Sequence, residues 1–484
     1  MKIRNGADYL QSLQDGREIW LNGKRINNVT DCAQFKGTLT SIASSYDLKN
    51  KDEYEKSLKV QSETNVEIPV YYRIPRNAED LVALRRGIEI YCEAISGGFM
   101  DRLPEAVASA LFPMLIAVSG EIGKTNKSYE ENIRNFHSYC AENDILACFS
   151  RADPRGDRSK GPLEQDDPDL TLRIVEKTSG GLIVRGAKHT ATPAPFAHEI
   201  IVIPGAPYRS EREGQYSLCF SVPISTKGVK VVCREPAAPE GGNQDDNPLG
   251  SRFDEIDGFV IFDDVLVPWE RVFIGGEVNL TTGATWQNQE LRSWAGFNYL
   301  IKAAMKTKLL IGATYLLSEW NGTNMFPATR EGVADILMYM ANIRSHITAA
   351  QLTPKSFNGI AMPNPEAILS GRWYAIKNYH SMINLVEDVC GVQMDVSPSI
   401  TDLGGPLGPT IEKYFSWKGV RGKERLKLLK FLGDLAVTRF AGHKELFQYY
   451  SEGVSYFNRM GLYNIYDFKE CVDSVNKFAN LQRI

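Results

Sequence analysis

Residues 259–274 read FVIFDDVLVPWERVFI. β-Branched and aromatic residues dominate and Pro268 punctuates the run, so it reads as strand. Four runs of the same kind precede it, LIVRGAKHTAT (182–192), HEIIVIPG (198–205), YSLCFSVPIS (216–225) and GVKVVCRE (228–235), all punctuated by Gly or Pro. Short strands at this spacing, without helical periods between them, predict a compact sandwich or barrel rather than alternating βαβ units. One excursion, PAAPEGGNQDDNPLGSRFDEID (236–257), is acidic and rich in Gly and Pro. It is expected to be a surface loop.

Helical periods flank this β-region on both sides. Upstream, AEDLVALRRGIEIYCEAI (78–95), PEAVASALFPMLIAV (104–118) and YEENIRNFHSYCAEN (129–143) carry apolar residues at i, i+3, i+4 spacing, and residues 1–143 read as a helical part. Pro104 suits the first turn of its helix and Asp101 is its expected cap. Downstream, long apolar-rich helices begin at Ser293, Glu331, Pro365 and Glu424, the pattern of a bundle with buried interfaces. The expectation is an α+β multidomain chain: helices over 1–143, a β-barrel over 144–277 and a four-helix bundle over 278–484.

Composition narrows the function classes. The chain has 484 residues, 43% hydrophobic and 24% charged, with a net charge of -4. That excludes a disordered tail, a fibre and a disulfide miniprotein, and it does not favour nucleic acid as a partner. The opening lacks an apolar signal core and no apolar run reaches the ~18 residues of a membrane span, so no membrane partner and a cytoplasmic location are expected. The eight cysteines form no C-x-x-C and the six histidines no H-x-x-x-H, so no metal is expected. G-x-G-x-x-G, the P-loop and G-x-S-x-G are missing too.

Longer strings carry more. FVIFDDVLVPWERVFI resembles a signature of the oxygenase component of 4-hydroxyphenylacetate 3-hydroxylase. ADYLQSL (7–13), SSYDL (44–48), FMDRLPEAV (99–107), GAKHTAT (186–192), GPLGP (405–409) and KELFQYY (444–450) fall in that family's order. The resemblance implies an acyl-CoA-dehydrogenase-like fold, the helix–barrel–bundle order already read from periodicity. DPRGDR (153–158), DPDLTLRIVEK (167–177) and VRGAK (184–188) look like a sister branch, the iron–sulfur-dependent 4-hydroxybutyryl-CoA dehydratases. That branch holds its cluster on three cysteines and a histidine; the matching positions here are Glu93, Gly97, Asn298 and Met305, which cannot reproduce the ligation, and Cys92 is one residue from the first.

The oxygenase resemblance implies reduced FAD (FADH2) delivered by a separate flavin reductase, O2 and a small aromatic substrate as co-substrates, and a homotetramer built as a dimer of dimers. It assigns flavin contacts to Phe149, Ser150, Arg151, Arg155, Gly156, Asp157 and Arg158, to Thr192 beside the flavin ring, and to a late loop of Gly453, Val454, Ser455 and Tyr456. Arginine suits the dinucleotide's diphosphate because its planar fork matches phosphate oxygens.

At the substrate the pattern breaks. Arg102 matches the family's arginine, but Ala106 stands for its tyrosine and Phe149 for its histidine. A buried phenolate needs polar partners, so a changed or larger substrate is expected, with His189 the candidate replacement catalytic group beside Arg102. Gly205 and Ala206 fall where the family meets a substrate carboxylate, and Lys306 and Asp257 match near-flavin positions of the dehydratase branch. The reading is a two-component aromatic monooxygenase. The alternatives are a cluster-free flavoenzyme of acyl-CoA or dehydratase type and a non-catalytic flavin-binding paralogue.

Overall fold

The structure, a computed structural model, describes residues 3–154, 156–208, 210–282, 288–451, 453, 455–479 and 481. Its centre is the expected β-barrel, made of two facing sheets. In the six-stranded sheet the order is Lys24–Ile26, Glu18–Leu21, Val229–Cys233, Gly258–Pro268, Gly181–Ala191, Arg173–Thr178. In the other it is Val272–Gly275, Leu218–Pro223, Glu199–Val202, Ala147–Ser150. Phe220 and Phe262 meet between the sheets edge to face, 5.9 Å apart. At one edge an isolated bridge pairs Phe149 with Thr192 and joins the sheets.

Strand Gly258–Pro268 shows how its sequence works. Val260, Phe262, Val265 and Val267 are buried. Strict alternation would put Val265 on the outer face. The register shifts between Phe262 and Val265, and Asp264 takes a positive φ of 50°. This bulge turns both aspartates outward, onto Lys230 (2.8 Å) and Arg185 (2.7 Å), and returns the valines to the core.

Helical periodicity over 1–143 overlooked a hairpin. Glu18–Leu21 lies parallel to Val229–Cys233 and antiparallel to Lys24–Ile26, so the N-terminal part contributes two strands to the larger sheet. Four-residue and three-residue strands are too short to register as a period. The helices themselves form as read: Ala78–Tyr91, Pro104–Thr125 and Lys127–Glu142. Pro104–Thr125 is continuous through Pro113 and apolar and long enough to span a bilayer, but most of it is buried inside the protein. Its N-cap is Leu103, with no side-chain cap; Asp101 points instead into a cluster of lysines. Hydrogen bonds to buried lysines replace the expected cap.

The bundle consists of Ser293–Asn321, Pro327–Leu352, Pro365–Cys390 and Gly422–Ala436. Ser293–Asn321 is buried on nearly all sides in its first half, as a central helix must be. The acidic excursion is not a free surface loop. Asp246 accepts the Ile400 N–H at 2.8 Å, and Asp434 accepts those of Leu249 and Gly250 at 2.8 and 2.9 Å. Two carboxylates thus strap the excursion across the bundle and deliver residues 254–257 to the interior.

One buried knot ties the N-terminal helices to the barrel. The Lys49 ammonium pairs with Asp144 at 2.6 Å, and both reach the Tyr71 hydroxyl, at 3.0 and 2.7 Å. Removing one buried partner strands the other. Lys49→Met is expected to cost about 3–5 kcal/mol in urea unfolding. Lys49→Met/Asp144→Asn should recover more than half of that, since asparagine tolerates the positive φ of 49° at this position.

Candidate active site

The bridge between Phe149 and Thr192 puts the end of one sheet against the other at the barrel's edge. Ser150 Oγ donates to the Thr190 carbonyl at 2.6 Å, and Thr192 Oγ1 donates to Asp257 Oδ1. Asp257 Oδ2 accepts from Arg234 Nε at 2.7 Å. The same guanidinium grips Asp254 with Nη1 at 3.1 Å and Nη2 at closer range, and Nη2 donates to His443 Nε2 at 3.1 Å. Burial works against the charge of Arg234, but Asp254 and Asp257 raise its pKa above the ordinary value. Burial first, then Arg234 and Lys444, push His443 down to about 4. Its ring is therefore neutral near pH ~7, with Nε2 as the acceptor.

Above this floor stands the segment that carries Arg102. Glu255, fully buried, accepts the backbone N–H of Asp101 at 2.6 Å and that of Arg102 more closely. Lys444 donates to Glu255 at 3.0 Å and to Asp101 at 3.3 Å; Lys306 donates to Asp101 at 2.8 Å. Lys302 pairs with Glu105 at 2.8 Å and donates to the Met100 and Asp101 carbonyls at 3.0 and 3.1 Å. Three ammonium groups face three carboxylates, all of them buried. The Arg102 guanidinium lies between two rings, 5.7 Å from the centroid of Phe149 and 5.2 Å from that of Phe447. Ala106, one turn into the following helix, is buried beside this segment.

A second group of cations lies at the start of the bundle. The Arg372 stem packs on the first turn of Ser293–Asn321, where a Cβ on Gly296 would lie 2.5 Å from Arg372 Cδ. Its Nη2 would be 3.8 Å from a Cβ on Gly453, the first residue of the late loop expected to touch flavin. Arg292 precedes the same helix turn. Burial first, then Arg151 and Arg372, push its pKa down to about 9. Among the described residues no carboxylate pairs with Arg151 or Arg292. A half-buried guanidinium facing two others fits an anion with several oxygens, which is what a dinucleotide's diphosphate offers.

Other expected site residues fall differently. Gly156, Asp157 and Arg158 lie on an exposed loop, where Asp157 caps Ser159 (2.9 Å to its N–H) and Gln165 donates to the Asp157 carbonyl at 2.7 Å. Arg155 and Val454 lie outside the described residues. Ser455 opens the helix Ser455–Ile465, and Tyr456 is exposed against Phe457. His189 faces outward: Nδ1 meets Thr190 Oγ1 at 3.0 Å and the ring edge sits on Phe259. Strand alternation turns His189 to the exposed face while Lys188 and Thr192 are buried, so it is not brought to Arg102. Gly205 has a packing reason, since a Cβ there would sit 2.2 Å from Asp153 Oδ2; Ala206 is exposed.

At the dehydratase branch's ligand positions, Glu93 pairs with Lys308 at 3.5 Å and Asn298 donates to Ser109 at 3.2 Å. Sequence reasoning missed Arg234, Glu255, Lys302, Lys444, Phe447, Arg292 and Arg372. The signal for the lysines was present: Lys302 and Lys306 are four apart on a helix otherwise apolar around its circumference, where solvated lysines have no room.

The barrel edge, the central helix and the C-terminal helices, tied together through Asp101, Glu255, Arg234, Lys306, Lys444 and His443, define a subunit of the acyl-CoA-dehydrogenase-like class. The chain belongs to the 4-hydroxyphenylacetate 3-hydroxylase family: residues 5–274 match its N-terminal model and 282–480 its C-terminal model. It is 30% identical to the 4-hydroxyphenylacetate 3-monooxygenase oxygenase component of Thermus thermophilus, over 98% of this chain and 97% of that one. A crystal structure of such an oxygenase component complexed with FAD and 4-hydroxyphenylacetate superposes with a TM-score of 0.91 at 29% identity, covering 99% of this chain and 98% of that one. An archaeal 4-hydroxybutyryl-CoA dehydratase from N. maritimus shares the fold, with a TM-score of 0.90 at 22% identity over 100% of this chain and 96% of that one.

The lysine cluster gives the site a pH dependence. Burial alone would raise the Asp101 pKa, but Lys306, Lys444 and Lys302 hold it well below the usual carboxylate range. A depressed folded-state pKa contributes stability that is present above about pH 4 and is lost as pH falls toward the folded value. Between about pH 5 and 2 the urea midpoint of the wild type should fall steeply. Asp101→Asn, with no proton to gain, should be less stable at neutral pH and show a shallower fall over that window. Equal slopes would remove Asp101 from this role.

Proposed function

We propose that the chain is the oxygenase component of a two-component monooxygenase that uses reduced FAD, delivered by a separate reductase, and O2 to hydroxylate an aromatic substrate. The observation that carries this reading is that two expected flavin segments some three hundred residues apart approach the same arginines of the bundle: Gly453 lies beside Arg372, and the charges of Arg151 and Arg372 both reach Arg292. When bound, the reduced flavin supplies the electrons that activate O2 for transfer of one oxygen atom to the ring and release of the other as water. The protein's part is to hold and to exclude. Arg151, Arg292 and Arg372 hold the diphosphate. Ser150 and Thr192 line the flavin ring, and Arg102, fixed through its backbone by Glu255, faces the substrate between Phe149 and Phe447. Arg155 to Arg158 and Ser455 with Tyr456 extend the flavin site.

Ala106 and Phe149 make the substrate pocket apolar where phenol hydroxylases of this family carry hydroxyl and imidazole. The preferred substrate is therefore a larger or carrier-bound aromatic rather than plain 4-hydroxyphenylacetate. Side chains such as Tyr414 (75% exposed), Tyr450 (67%) and Phe478 (85%) on the C-terminal helices support self-association, here read as a homotetramer.

Three measurements test the reading. Under anaerobic conditions the wild type should bind reduced FAD at micromolar concentration and, with a reductase, couple oxygen uptake to product from a panel of substituted phenols and carrier-bound aromatics. Arg292→Gln should weaken FAD roughly 10- to 100-fold and leave riboflavin, which has no phosphate, unchanged. Equal losses for both ligands would remove the arginines from the diphosphate. Ala106→Tyr/Phe149→His should raise kcat/KM for simple phenols by about tenfold or more, as a buried phenolate regains polar partners.

A further inference from the structure

Two hydroxyls of the crevice have already spent their hydrogens. Ser150 Oγ donates to the Thr190 carbonyl at 2.6 Å, and a carbonyl has no hydrogen to give back. Thr192 Oγ1 donates to Asp257 Oδ1, and the other oxygen of that carboxylate takes Arg234 Nε at 2.7 Å. A carboxylate held by a guanidinium accepts only, so the direction of both bonds is fixed. Each hydroxyl is left with lone pairs alone to offer a third party. The two residues are buried, at 1% and 5% exposure, and the bridge pairs Thr192 with Phe149, the residue before Ser150.

Asp257 cannot swing away. Its own carbonyl accepts the Arg234 backbone N–H at 3.0 Å while its carboxylate accepts the Arg234 side chain. Arg234 is fixed in turn by Asp254, by the Glu255 carbonyl at 3.3 Å and by His443. The whole assembly sets one bit of information, the direction of one O–H bond.

We propose that Asp257 is a positioning residue that fixes Thr192 as a hydrogen-bond acceptor, so that this wall of the site selects the reduced flavin ring over the oxidised one. The placement of the ring against Thr192 rests on the function proposed above. The chemistry that discriminates is simple. A reduced flavin carries a hydrogen on N5, which a lone pair on Thr192 can accept. An oxidised flavin presents a lone pair at N5, and two lone pairs facing each other in a site without water repel. An oxygenase component that receives reduced flavin by diffusion and returns it oxidised gains turnover from such a preference.

A nearly isosteric substitution reverses the polarity. In Asp257→Asn the Arg234 Nε–H still requires an oxygen, so the amide NH2 is turned to Thr192. The NH2 then donates to Thr192, whose own hydrogen becomes free to point at N5. The ratio of the dissociation constants of oxidised and reduced FAD, measured anaerobically at equilibrium, should fall about tenfold or more in Asp257→Asn. By linkage, the midpoint potential of the bound flavin should fall by about 30 mV per tenfold for a two-electron couple. Thr192→Val should give an intermediate ratio, Thr192→Ser should keep the wild-type ratio, and adding Asp257→Asn to Thr192→Val should change nothing further. The inference is overturned if Asp257→Asn leaves ratio and potential unchanged, if it shifts them equally in the Thr192→Val background, or if wild type binds oxidised FAD more tightly. Binding of neither form by wild type would overturn the function proposed above and this inference with it.

Discussion

Glu255 accepts two adjacent backbone N–H groups, those of Asp101 and Arg102, while Lys444 neutralises it from the far side. The crevice depends on this interaction, because Glu255 arrives from the acidic excursion of the barrel, Asp101 from the N-terminal helices and Lys444 from the C-terminal helices. Charges taken out of water are tolerated only as a complete set with good geometry. Lys302, Lys306 and Lys444 against Asp101, Glu105 and Glu255 form such a set. None of the three parts can bury its own share alone, so assembly of the parts and placement of Arg102 are one event. Replacement by apolar residues could give equal stability, but it would not fix a backbone segment through two N–H groups.

Much of this was legible in the sequence, and what was not has identifiable causes. Periodicity gave the long helices because an apolar stripe repeats over many turns, as in Pro365–Cys390. It could not give the hairpin at Glu18–Ile26, whose strands are shorter than a reliable period. It could not tell that Asp254 and Glu255 are buried and Asp257 nearly so, since acidic residues near Gly and Pro ordinarily stay solvated. Their partners Arg234, Lys444 and His443 come from elsewhere in the chain. Among the site residues, those named through resemblance occur in collinear strings. Arg292 and Arg372 lie in helices whose local pattern shows only bundle packing, and their convergence exists only in three dimensions. His189 failed for a local reason: one step along a strand reverses the face, and sequence distance from Thr192 does not show which way it turns.

The two cationic groups of this molecule behave differently, and the contrast separates scaffold from site. The lysines are matched by carboxylates one for one. Burial first, then the charges of Arg151 and Arg372, bring Arg292 down to about 9. A fold gains nothing from gathering like charges in a half-buried place, and the cost must be offset by something that binds there. Guanidinium, unlike ammonium, also keeps its charge at such a cost and presents a planar fork. The use of lysine in the matched cluster and of arginine at 151 and 292, where no carboxylate among the described residues pairs with them, follows from those two properties.

The same logic extends from charge to hydrogen-bond direction. In water a hydroxyl is donor and acceptor at once and distinguishes nothing. Buried beside a carboxylate it becomes an acceptor only, and its direction is as fixed as a charge. Arg234 makes this possible by holding Asp254 and Asp257 together, so that the Asp257 carboxylate stays aimed at Thr192. The chain that sets Arg102 in place and the chain that sets the Thr192 proton share the segment 254–257, with Glu255 facing one way and Asp257 the other. Arg102 and the Thr192 hydroxyl are therefore positioned by neighbouring residues of one strap. A shift of that strap would move both, which explains why Asp246 and Asp434 fasten its upstream half to the bundle.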